Sequence, residues 1–173
     1  MEQKVTNPAV KGVIIALILI ALGLIMHFAG LDKNKGIGAI QFIFLGAGII
    51  WACINYANQL NSNVTFGNTF AHGFKTAAAV TGIIALYTII SLKFIMPEMI
   101  DTALDEARKG MVEKNNMAPE QVEQNLSIAR KFFIPFTTSF IVLIFLIVGC
   151  ISALIGAAVA KKNPNYNPLE ENN

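Results

Sequence analysis

The sequence predicts an all-α integral membrane protein: a four-helix transmembrane bundle with an amphipathic helical hairpin inserted between the third and fourth spans. Three observations predict it. Of the 173 residues, 54% are hydrophobic and only 14% are charged, where a soluble domain carries about 25% charged residues. The charges are also unevenly spread, since no Asp, Glu, Lys or Arg occurs from Gly36 to Phe74. Finally, the apolar residues gather in four runs, each long enough at 1.5 Å per residue to cross a hydrocarbon layer of about 30 Å. Lipid leaves no water for exposed strand edges, so four such runs are four helices. The net charge of +2, with 13 basic against 11 acidic residues and no polybasic block, excludes a nucleic-acid-binding surface. The composition equally excludes a disordered chain.

The first span covers residues 12–30, GVIIALILIALGLIMHFAG. It is too long for the core of a cleaved signal peptide and no small-x-small site follows it. The second span, 36–57, is joined to it by the short LDKNK turn, which makes the pair an antiparallel hairpin. The third, 76–96, is preceded by an uncharged GNTFAHGF segment able to add an interfacial turn. Lys93 near its end is placed to reach the headgroups with its ammonium wet. The fourth, 134–160, closes on Lys161 and Lys162.

The segment 97–133 carries most of the acidic residues, and its pattern is helical. Ile100, Ala103, Leu104, Ala107 and Met111 form one apolar stripe, and Val122, Leu126, Ala129 and Phe133 form another. Pro97 and Pro119 suit first helical turns, acidic residues follow them, and Arg108, Lys109, Arg130 and Lys131 sit toward the opposite ends. The KNNM stretch at 114–117 is the natural turn. The two stripes either pack on each other or lie in the headgroups. The whole of 1–162 thus reads as one membrane domain, and 163–173, NPNYNPLEENN, reads as a disordered tail. Lys4, Lys11, Lys161 and Lys162 favour cytoplasmic termini, the last two having no acidic neighbour.

Chemistry is sparse. Cys53 and Cys150 lie in apolar runs, where a thiol acts as a small hydrophobe, and they lack the spacing of a zinc or haem site. No phosphate loop, His-Glu-x-x-His or nucleophile elbow occurs, and no span contains Asp or Glu. The expectation is no catalytic residue, no metal and no cofactor. His27 and Asn55 lie near span ends, and His72, with no acid or second His nearby in sequence, reads as an interfacial hydrogen-bonding group. Gln41, Asn55 and Thr81 are the candidate polar lining of any path through the membrane. Small residues at Gly46, Gly48, Gly149, Ser152, Ala153 and Gly156 are candidate helix-packing positions, within the bundle or between copies in a homo-oligomer. Asp101, Asp105, Arg108 and Lys109 are the candidate partner-docking residues, on the exposed faces of a hairpin that residues 98–130 would offer to another protein.

The segments TFGNTFAHGFKTA before span three and MAPEQVEQNLSIARKF before span four carry a resemblance. With the hairpinned first spans and the Gly-rich final span, the chain from Asn7 to Lys162 resembles a family of small four-span inner-membrane proteins, mainly of Bacteroidota, known as a domain of unknown function. The resemblance implies membrane location and helical architecture and transfers no catalytic residue. The functional expectation is therefore a non-enzymatic accessory or scaffold subunit of a bacterial envelope complex. It would contact membrane lipids and dock a protein such as an envelope-building enzyme. The alternative is a small oligomeric transporter or lipid-handling protein lined by Gln41, Asn55 and Thr81.

Overall fold

The computed structural model describes residues 5–31, 35–113 and 117–166 of the chain. Among them are five α-helices and no strand: α1 (Pro8–Phe28), α2 (Lys35–Gln59), α3 (Phe66–Ile90), α4 (Glu98–Glu113) and α5 (Pro119–Val159). Four of these, α1, α2, α3 and α5, are long and apolar enough to cross a bilayer, so the protein is a multi-pass, all-α membrane protein. The chain forms two compact units, Met1–Ile84 with Leu143–Asn173, and Ala85–Val142.

In the first unit, local signals set the helix ends. Asn7 caps α1, accepting from the Ala9 N–H at 2.8 Å, and Pro8 fills the first helical turn where no N–H is needed. Gly30, at φ +67°, takes the chain out of the helix. Between α2 and α3, Asn61 and Ser62 both adopt positive φ. Thr65 Oγ1 then accepts from the Asn68 N–H at 3.1 Å and starts α3. That start lies ten residues before the span expected at 76. The GNTFAHGF segment does add turns to the amino side of this span, as the first turns of α3: Thr65 caps the helix, and Thr69, His72 and Thr76 face the interior.

Small residues hold these helices together, since in lipid association depends on close van der Waals contact. A Cβ at Gly149 would lie 2.6 Å from Ala77 Cβ, and one at Gly156 would lie 2.8 Å from Cys53 Cβ and 3.1 Å from Ile50 Cα. Gly46 faces Ser152 Oγ and Gly48 faces the Ile15 side chain. Ser152 and Ala153 are buried as well. The small-residue faces of α2 and α5 are thus occupied inside one chain. Three interior hydroxyls on α3 are satisfied by the carbonyl four residues back: Thr69, Thr76 and Thr81 donate to the carbonyls of Thr65, His72 and Ala77 at 2.9–3.0 Å. At the end carrying the termini, Gln59 donates to Thr6 Oγ1 at 2.7 Å and the Asn163 N–H donates to Ser62 O at 2.8 Å. Of the tail expected to be disordered, Asn163–Tyr166 is anchored or turned in this way, and 167–173 lies outside the described residues, as does most of the 114–117 turn.

In the second unit, α3 ends in a π-helical turn, Ser91–Ile95, closed by the Met96 N–H on Ser91 O at 2.8 Å. The two expected amphipathic stripes pack on each other: Leu104, Val122 and Leu126 are buried together, flanked by Ile100, Ala107, Met111 and Ala129. The second arm of this hairpin and the fourth span, expected to divide near 133, are one continuous helix. Pro135 does not break it. The carbonyl that Pro135 leaves without an N–H belongs to Lys131, which is exposed and can bond to water or headgroups instead.

Candidate functional site

Two constellations stand out, one in each unit. In the hairpin, Asp101 and Arg108 of α4 are committed to α5. Arg108 reaches Glu123 with both guanidinium nitrogens, the second at 3.2 Å, and Arg130 pairs with Asp101. These pairs flank a cleft of about 280 Å³ floored by Leu104 and Leu126, with Asp105 and Ser127 on its walls. Lys109 is exposed on α4 and Asp105 on the cleft wall, so of the four expected docking residues two serve the hairpin's own closure and two face outward. Because both partners of each pair are about half exposed or more, the pairs orient the helices more than they stabilise them. Arg108→Glu should cost roughly 0.2–1 kcal/mol of hairpin stability. Adding Glu123→Arg should restore it, read by denaturant-dependent proteolysis between α4 and α5.

In the first unit, a polar cluster forms where the termini-side ends of α1, α2, α3 and α5 meet. Lys11 is 1% exposed, and its ammonium donates to the Ala52 carbonyl at 3.2 Å. It stands close enough to Cys53 and His72 for its charge to act on both. Cys53 Sγ contacts the carbonyls of Thr69 at 3.7 Å and Ala153 at 3.9 Å. His72, only 6% exposed, stacks on the Tyr56 ring at 4.3 Å, and its Nε2 is buried without a hydrogen-bond partner. It is therefore an interior residue, not the interfacial hydrogen-bonding group expected from sequence. Cys53 and Cys150 are both free thiols.

The candidate path residues lie apart from this cluster or from each other. Gln41 and Asn55 are half-buried on α2; they stand fourteen positions apart, about 21 Å along the axis. The Gln41 amide fits against α1 where Gly23 leaves room, 3.1 Å from the position of a Cβ there. Thr81 is buried, its hydroxyl donated to Ala77 O.

From sequence Lys11 reads as a flanking charge, whereas its side chain lies in the interior. The signal was present, because Lys11 shares the i, i+4, i+8 stripe of Ile15 and Leu19, the buried face of α1. No curated protein and no solved structure matches the chain. A family model described as "Protein of unknown function (DUF4199)" matches residues 11–162, and the chain belongs to that family.

Proposed function

We propose that the protein is a non-enzymatic accessory subunit of a bacterial envelope complex, resident in the inner membrane with its termini in the cytoplasm, and that its helical hairpin docks a partner protein. The observation carrying this reading is the cleft between α4 and α5. It has an apolar floor of Leu104 and Leu126 and walls of both charge signs, the composition of a surface that receives a protein side chain rather than a small apolar ligand. Pairing Arg108 with Glu123 and Arg130 with Asp101 keeps the two walls at a fixed separation, so the cleft is organised before a partner arrives. The outward charges of Asp105 and Lys109 would then steer and orient the encounter.

The test is photo-crosslinking in living cells with the reactive group placed in turn at Asp105 and Lys109. One recurrent partner should be captured from both positions, and its yield should fall several-fold when Asp105→Lys and Lys109→Glu are combined. Capture of membrane proteins merely in proportion to their abundance would overturn the reading.

A further inference from the structure

Lys11 presents an unsolved charge balance. The described residues of the first unit contain no Asp or Glu at all, so no carboxylate there can compensate the buried ammonium. The Ala52 carbonyl and the neighbouring His72, whose Nε2 has no partner, supply dipoles but no negative charge. Among the described residues this buried cation has no counter-ion, a costly arrangement, and such a residue within an apolar helix marks a candidate functional site. Lys11 lies four residues into α1, near the N-terminal end of that helix rather than at its middle.

One helical turn further in, α1 and α2 enclose a groove of about 290 Å³ that is almost wholly apolar. Ile15 and Leu19 form its buried floor, and Ile14, Ile18, Phe44 and Trp51 form an exposed rim. The groove runs along the helices, and its upper end is fixed by two neighbours in sequence: Ile14 is one turn from Lys11, and Trp51 adjoins Ala52, the residue whose carbonyl holds the ammonium. An amphiphile with a hydrocarbon chain in this groove brings its polar end to the level of Lys11. Trp is a side chain suited to that boundary, apolar in its body and able to donate from its indole N–H.

We propose that the α1–α2 groove is a binding site for an anionic phospholipid of the bilayer, with one acyl chain on Ile15 and Leu19 and the phosphate held near Lys11. Lys11 does not itself line the groove; its charge acts on that phosphate through the helix interior, where charge interactions reach further than in water. The site is independent of the docking role of the hairpin, and failure of either leaves the other standing.

The test is native mass spectrometry of the full chain in a mild detergent, with added phosphatidylglycerol or phosphatidylcholine of identical acyl chains. The native protein should retain phosphatidylglycerol about fivefold more than phosphatidylcholine, the factor that one basic residue beside anionic lipid commonly contributes. Lys11→Gln should abolish that preference without lowering phosphatidylcholine binding, and Lys11→Arg should keep it. Ala47→Trp, which fills the groove from its exposed rim without touching the core, should lower retention of both lipids. Equal retention of the two lipids by the native protein, an unchanged preference in Lys11→Gln, or unchanged retention in Ala47→Trp would each overturn the proposal. The first and last of these need no substitution in the interior.

Discussion

Replacing Gly156 with Leu should unfold the membrane bundle, at a cost of about 3 kcal/mol. The cause is local and steric. Even a lone Cβ at 156 would stand 2.8 Å from Cys53 Cβ, 2.9 Å from its sulfur and 3.1 Å from Ile50 Cα. The last is backbone of a neighbouring helix and cannot rotate away, so α5 must separate from α2. Separation also breaks the contacts that Gly73 makes possible with Cys53 and Ala153, and then those of Gly149 with Ala77, because these positions share one face of α5 or pack on it. Gly82→Ala is the matched control. Gly82 is exposed, helical and has no atom within 4 Å of an added Cβ. Removing its backbone freedom should raise stability by up to about 1 kcal/mol. Thermal unfolding in detergent, followed by the loss of the monodisperse peak in size-exclusion chromatography, checks both. Equal melting of Gly156→Leu and the native protein would mean that the α2–α5 contact is not what holds the bundle.

That contact illustrates what the sequence makes legible. A glycine series at intervals of four announces close helix packing, yet whether the neighbour is α2 of the same chain or a second copy depends on the side chains opposite, which periodicity does not reveal. The four spans and both hairpin stripes were readable because burial in lipid and burial in a helix pair each impose a period on the residues themselves. The start of α3 was not, because hydropathy registers where lipid begins, whereas the helix begins where Thr65 satisfies a free N–H. The break expected near residue 133 came from the change in charge density there. A helix ignores such a change as long as its backbone bonds continue. Lys11 is hard to read from sequence for a related reason. A lysine near a span end ordinarily snorkels outward, and only its register with Ile15 and Leu19 shows that its stem starts on the packed face.

The hairpin, in turn, should melt when Val122 becomes Asp, and melt by itself. Val122 is 2% exposed and packs with Leu104 and Leu126, the three buried residues on which this helix pair rests. An unpaired carboxylate in that position costs about 3–5 kcal/mol. The two exposed ion pairs, worth roughly 0.2–1 kcal/mol each, cannot offset it. Hydrogen exchange of the detergent-solubilised protein should show lost protection through α4 and the first turns of α5, about residues 98–130, while α1 and α2 keep theirs. The two outcomes differ because each unit is held by its own contacts: apolar stripes facing each other in one, glycine-mediated helix approach in the other. The same variant bears on function. If the α4–α5 cleft receives a partner, Val122→Asp should abolish crosslinking from Asp105 and Lys109 while the protein still inserts in the membrane and still retains phosphatidylglycerol through Lys11. Persistence of the crosslink in a melted hairpin would show that the partner reads an unfolded segment, not the organised cleft. Loss of lipid retention together with the crosslink would show that the substitution had disturbed the whole chain.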